Sequence, residues 1–153
     1  MKTNNQQERL KMGCWISGFV DGEGCFTVSI VKNTTTKFGK QVFPEFVITQ
    51  SGKSLDTLKE IQKFFGFGSI VLNKRYDNHK EDLYKFCVRS VSELHTKIIP
   101  FFEEFKLKTS KKNDFIIFCK IIKIMYHKKH LSKNGLQNIL VLSSKMNRKK
   151  NRL

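Results

Sequence analysis

Acidic residues are scarce in this 153-residue chain: 13 Asp and Glu face 29 Lys and Arg, for a formal charge of +16. Such an excess points to a polyanionic partner, because each phosphate neutralised releases bound counterions. Nucleic acid leads, with an anionic membrane surface second. Cysteine offers no scaffold either. Cys14, Cys25, Cys87 and Cys119 show no CxxC spacing, which argues against a zinc site or disulfide framework and for free thiols in a reducing compartment. Long hydrophobic runs are missing as well. Residues 1–13 contain no apolar signal core, and the most apolar run, Phe115 to Met125, is interrupted by Lys120 and Lys123 and is far short of a membrane span. The expectation is a protein that is not secreted, has no membrane partner and acts where it is made. With no low-complexity segment or linker, residues 1–153 read as one domain with a basic tail from about 145 to 153.

What is present is clear periodicity. Arg9 to Val20 has apolar residues at 10, 12, 15, 16, 19 and 20, a helical stripe that Gly22 and Gly24 should stop. From Cys25 the period becomes two, with Phe26, Val28 and Ile30 opposite Thr27, Ser29, Val31 and Asn33. The loop "NTTTKFGK" leads into a second alternating run, where Val42, Phe46 and Ile48 oppose Gln41, Phe43, Glu45 and Val47. Lys53 to Phe65 reads as a helix stopped by Gly66. Ser69 to Asn73 and Leu83 to Arg89 form a second hairpin. Ser92 opens a helix interrupted near Pro100, Ser110 opens a long helix that Asn134-Gly135 breaks, and "LQNILVLSSKM" is a short amphipathic piece. The order predicts an α+β fold, αββαββα, with helices on one face of an antiparallel sheet and extra C-terminal helices.

The stretch "WISGFVDGEGCF" concentrates the chemistry. Gly18 and Gly22 are four apart and share a helix face, with Ser17 a further small residue beside them. A bare face admits another backbone very closely, which gives a reason to accept helix glycines that each cost about 0.5–1 kcal/mol. Asp21 and Glu23 then sit against the negative end of the helix dipole. A divalent cation offsets that repulsion, and hard oxygen ligands with few protein contacts suit Mg²⁺. By itself, Asp-Gly at a helix end is ordinarily a turn signal.

"WISGFVDGEG" resembles the signature of the LAGLIDADG homing endonucleases, with Gly18, Phe19, Asp21, Gly22, Glu23 and Gly24 in its frame; Trp15 and Ser17 depart from the commonest letters. The signature occurs once, and single-motif members of that family act as homodimers whose signature helices pack across a two-fold axis. The resemblance implies a site-specific double-strand DNA endonuclease of intron-homing type, Mg²⁺-dependent, cutting a long pseudo-palindromic target to leave 3′ overhangs; Mn²⁺ and Ca²⁺ are alternative occupants of its metal site. It assigns metal binding to Glu23 with the Gly22 carbonyl beside it, and the dimer contact to Ser17, Gly18, Asp21 and Gly22. Gln50, in "FVITQSGK", takes the role of ordering active-site water. Lys108, in "FKLKTSKK", takes the role of the active-site lysine, with Lys106 the choice if the register slips. Some relatives carry a further basic residue after the glutamine, and Lys53 and Ser54 stand nearest that place.

In that family the sheet is a saddle seated in the DNA major groove, which is wide enough for a β-ribbon. The outward set is then Thr27, Ser29, Asn33, Gln41, Glu45, Asn73, Arg75 and Lys85, side chains suited to base edges, with Glu45 able to accept from cytosine. Val31, Phe43, Val47 and Val71 share that face. Lys32, Lys37, Lys40 and Lys74, near the hairpin tips, suit phosphate contacts that position without specifying. His127 and His130 beside Lys128 and Lys129 read as a basic helix end more readily than as metal ligands. Some relatives assist splicing of their own intron RNA, so a maturase or a non-catalytic DNA- or RNA-binding protein is the alternative. The implied location is an organelle, chloroplast or mitochondrion, or a prokaryotic cytoplasm.

Overall fold

The computed structural model describes residues 2–74 and 81–146. The order is α1 (Lys2–Glu23), β1 (Gly24–Lys32), β2 (Lys40–Ser51), α2 (Leu55–Phe65), β3 (Ser69–Asn73), β4 (Leu83–Val88), α3 (Val91–Glu93), α4 (Ile99–Glu104), α5 (Lys111–Tyr126) and α6 (Lys133–Ser143). The strands pair antiparallel in the order β1-β2-β4-β3. This is the α+β arrangement expected, with both hairpins in place. Arg75 and all but the first two residues of the basic tail lie outside the described residues.

One sheet face packs against the helices. Phe26 stacks on Phe46 at 5.1 Å between centroids and meets Phe102 edge-on at 5.5 Å, while Phe115 and Phe118 of α5 close in at 5.2 and 5.3 Å. Burying these large rings stabilises the fold at roughly 25 cal/mol per Å² of apolar surface. Gly66 ends α2 in the left-handed conformation, φ 77°, and its N–H closes on the Gln62 carbonyl. Pro44 is tolerated in β2 because β4 pairs only from Phe46 onward, so no strand on that side needs its missing N–H.

Three details differ from the sequence reading. The helical path from Val91 to Glu104 runs through Pro100 without a break, because a π-turn at Leu94–Ile98 precedes it and Pro100 falls in the first turn of α4. Asn134-Gly135 does not break a helix but lies in the first turn of α6. The interruption falls earlier, at Lys128, where φ is 57°. Glycine is required at 135 by crowding, since a Cβ there would meet the Lys129 carbonyl oxygen at 1.8 Å. Finally, α1 is longer than its stripe and buries a different face: Ile16, Ser17 and Val20 are buried, whereas Leu10 and Trp15 are 43% and 44% exposed.

The four glycines in and just after that helix are not equivalent. A Cβ at Gly13 would sit 2.4 Å from the Phe105 ring, so Gly13→Ala is expected to overpack this contact and cost about 1–3 kcal/mol by denaturant titration. Gly24 is bare because Val20 would lie 2.6 Å from its Cβ. At Gly18 and Gly22, nothing among the described residues comes within 4 Å.

Candidate active site

The register of the first hairpin builds the site. Gly24 pairs with Ile48, so the end of β2 runs back alongside the end of α1. Gln50 thereby reaches Glu23, its Nε2 donating to Glu23 Oε2 at 3.2 Å. The two residues come from segments 27 positions apart and meet at an exposed helix C-terminus.

Asp21 faces the other way and clamps the loop after α4. Its carboxylate accepts from the Lys108 N–H at 2.8 Å, the Thr109 N–H at 3.0 Å and the Thr109 hydroxyl at 2.7 Å. Lys111 completes the joint, its Nζ donating to the Val20 carbonyl at 2.8 Å. The last turn of α1 has no basic residue of its own, so a lysine from α5 offsets the helix dipole. This anchors the backbone of Lys108, the predicted active-site lysine, directly to the signature helix. Lys106 lies on the same loop, its carbonyl near the Ser17 hydroxyl at 3.4 Å. Thr109 and Lys111 were not singled out from sequence, although both stand in "FKLKTSKK".

Burial alone would push the Asp21 carboxyl up. The Lys108 and Thr109 amides, the Thr109 hydroxyl and the Lys111 charge outweigh it and hold the group below the usual carboxylate value. A lowered folded-state pKa contributes stability that is present above the unfolded value, near pH 3.9, and lost as pH falls through the folded one. Asp21→Asn is therefore expected to lower stability by about 1–2 kcal/mol at pH 7, as charge-assisted hydrogen bonds at a partly exposed site weaken. The difference from wild type should hold from pH 8 down to about pH 4 and shrink below it, as pH falls from the unfolded value toward the lowered folded one. Thermal melts of both proteins from pH 3 to 8 check this; a constant gap would sink the clamp.

A hard divalent cation fits this donor set. Glu23 offers an exposed carboxylate at the negative end of a helix, and the Gly22 carbonyl lies alongside in sequence. Among the described residues, no three His, Cys, Asp or Glu side chains converge on a metal position. One carboxylate suits a cation whose shell is completed by water and substrate phosphate. The nearby basic position of the sequence reading is engaged elsewhere: Lys53 Nζ pairs with Glu81 at 2.7 Å.

The exposed face of α1 carries Cys14, Gly18 and Gly22 in one row, beside Trp15 and Phe19, whose rings stack at 5.0 Å. Ser17 is not on it. That residue is 5% exposed and donates its hydroxyl to the Phe105 carbonyl at 2.8 Å, so it packs within the chain. Asp21 likewise spends its carboxylate on its own chain.

On the sheet face away from the helices, the register aligns Thr27 with Glu45, Val31 with Gln41, Val71 with Lys85 and Asn73 with Leu83. Ser29 lies opposite the exposed Phe43. Two expected base readers have other work. Asn33 lies past the end of β1, where its Oδ1 accepts from the Thr35 N–H and hydroxyl and its Nδ2 donates to Gln41 Oε1 at 2.7 Å, so it shapes the hairpin loop. Glu45 is held by Lys85 at 3.7 Å and by Arg89, and does not stand free to accept from cytosine. Arg89 was missed, although the period of two that selects Lys85 reaches it. Lys32, Lys37, Lys40 and Lys74 are exposed at the hairpin ends. The geometry thus provides a carboxylate and an amide in contact, an anchored lysine loop and a broad sheet face of mixed polar and apolar side chains rimmed by lysine. No helix among the described residues is long and apolar enough to cross a membrane.

Known proteins share this fold. The family model for LAGLIDADG endonucleases matches residues 16–122. "Probable intron-encoded endonuclease 2" of Neurospora crassa is 32% identical over 88% of this chain, which spans 27% of that relative. DNA endonuclease I-CvuI of Chlorella vulgaris is 32% identical over 67% of this chain and 62% of its own length. Among solved structures, the homing endonuclease I-TnaI superposes with a TM-score of 0.79 at 42% identity, covering 90% of this chain and 89% of that one. I-SmaMI bound to cleaved DNA gives 0.82 at 31% identity, with 92% of this chain matching 45% of that one. The chain spans about a quarter of the fungal relatives it first matches. With its residues 16–122 matched by the family model and its fold shared with solved homing endonucleases, the chain belongs to the LAGLIDADG endonuclease family.

Proposed function

We propose that this chain is a site-specific DNA endonuclease of intron-homing type, working as a homodimer with Mg²⁺ and leaving 3′ overhangs. The observation that carries the reading is the meeting of Glu23 and Gln50 at the end of a helix where, among the described residues, nothing lies within 4 Å of a Cβ placed on Gly18 or Gly22. A second copy would lie on the Cys14, Gly18 and Gly22 row and bring two Glu23 carboxylates together near the axis. When bound, the cation supplies charge neutralisation at the phosphate and makes water a stronger nucleophile; Mn²⁺ and Ca²⁺ have the oxygen preference to occupy the same place.

The chain's own residues supply the rest. Glu23, with the Gly22 carbonyl, would hold the cation. Gln50 presents an amide able to donate to one oxygen and accept from a water, orienting that water toward the scissile phosphate. Lys108 carries an ammonium to balance charge on the phosphate as the 3′-oxygen departs. The sheet face would sit in the major groove, and Lys32, Lys37, Lys40 and Lys74 would fix its register on phosphates. The relatives are described as intron-encoded, so an organelle genome is the fitting location. The test is cleavage of a plasmid carrying the uninterrupted form of the flanking gene, with Mg²⁺ and with chelator. Linear product with 3′ extensions in Mg²⁺ alone is expected; an uncut plasmid at high protein would overturn the reading.

One observation favours a second reading, in which the chain assists splicing by binding intron RNA. Residues 105–153 carry 14 Lys and Arg against one acid, Asp114. Helix α5 buries Phe115, Phe118, Ile121, Ile122 and Met125, leaving Lys112, Lys120 and Lys123 exposed on its opposite side. Binding of intron RNA together with failure to cut any intronless target would make this the function.

A further inference from the structure

Arg89 lies one residue past β4, where β2 no longer has a partner on that side, and its guanidinium turns back to Glu45. The contact uses one nitrogen: Nε donates to Glu45 Oε2. The other carboxylate oxygen of Glu45 lies 3.7 Å from Lys85 Nζ. Cys87 stands between the two cations on the same strand face, and burial pushes its thiol up, so it adds no charge. Among the described residues, neither terminal nitrogen of Arg89 has a hydrogen-bond partner. The side chain is 57% exposed, whereas Glu45 beneath it is 20% exposed.

As a stability device this group is weak, because exposed ion pairs contribute little. As an orienting device it is specific. A carboxylate gripping Nε restrains the plane of the guanidinium and leaves its two terminal nitrogens for another acceptor. That fork matches the O6 and N7 acceptors of guanine in the major groove. Contact with a phosphate would need no such restraint, since phosphate accepts from many directions; a base edge has one. The position is also suited to it, because Thr27 lies directly across from Glu45 on the face that carries the other polar side chains.

We propose that Arg89 is a specificity-determining residue that reads one guanine in each half of the DNA target, and that Glu45 is its positioning residue instead of a reader of cytosine. This rests on the nuclease reading above and names one base of its substrate. Lys85 holds the far oxygen of Glu45, so the carboxylate keeps its orientation when Arg89 engages DNA.

The test is selection of bound sequences from a randomised DNA pool with Ca²⁺ present, for wild type, Arg89→Ala, Arg89→Lys and Glu45→Gln. Wild type should show a strong G:C preference at one position per half-site that Arg89→Ala loses, by roughly 5- to 150-fold, with other positions unchanged. Arg89→Lys should also lose it, because an ammonium lacks the planar fork. Glu45→Gln should relax the same position by a smaller factor. A uniform loss of affinity with an unchanged profile in Arg89→Ala would make the residue a phosphate contact and overturn the proposal. Relaxation by Glu45→Gln at a different position would do the same, by making Glu45 a reader itself. A wild-type protein with no sequence preference would overturn the nuclease reading along with it, so the two failures are distinguishable.

Discussion

Glu23→Gln is expected to bind target DNA as tightly as wild type, or slightly tighter, and to cut it slower by about 10²–10³-fold or more. That is the scale on which removal of one preorganised charge-stabilising group acts. Glutamine keeps the length of the side chain and still offers an oxygen to the Gln50 amide, so the local contact survives. What disappears is the negative charge that would hold a divalent cation at the helix end. Binding should persist because a contact between protein and phosphate gains from one anion fewer. The measurement is a single-turnover cleavage rate with Mg²⁺, run beside a gel-shift titration of the same preparation. Cleavage at the wild-type rate would remove Glu23 from the metal site. Equal loss of binding and cleavage would show instead that the residue supports the fold or the interface.

The second large effect is expected at Gly18. At a neutral helix former there, Gly18→Gln, the added Cβ has nothing within 4 Å among the described residues, and removing a glycine from a helix is worth about 0.5–1 kcal/mol in favour of the folded chain. The melting temperature of the isolated chain should therefore hold or rise. The dimer, in contrast, should be lost, because a side chain now stands where two helix backbones would come together. Light scattering after gel filtration should report a monomer, and cleavage should fall by about 10²-fold or more as two half-sites can no longer be engaged at once. Trp15 is the only tryptophan and is 44% exposed on this face, so its fluorescence gives an independent readout. A concentration-dependent blue shift should appear in wild type and vanish in the variant. A Gly18→Gln protein that remains dimeric and cuts would place the seam elsewhere.

These two residues show why parts of the molecule were legible in advance. Glu23 and Gly18 belong to a short contiguous pattern in which helix periodicity, glycine spacing and charge against the dipole all act locally, and local features survive without tertiary context. The strands were equally readable, since the buried Phe26, Phe46 and Ile48 fall at the even-numbered positions of a period of two, which a half-buried sheet imposes. Pro100 misled because a proline stops a helix only if the preceding turn cannot reroute its hydrogen bonds, and here a π-turn does so. Asn134-Gly135 misled because its glycine serves a close approach to the Lys129 carbonyl, which no local pattern encodes.

The amino-acid order by itself determined the family frame, the α+β class and the basic character, because each of these lies in neighbouring residues or in a running count. Only the tertiary structure decided how the polar groups are shared out. Asp21 and Ser17 sit in the same signature as Glu23 and Gly18, yet they bond to a loop 88 positions away and so serve their own chain. Asn33 and Glu45 had the chemistry of base readers, but Gln41, Lys85 and Arg89 hold them. The physical reason is the same in each case. A side chain's chemical type is local, but which partner satisfies it depends on what the folded backbone brings within about 3 Å, the reach of a hydrogen bond.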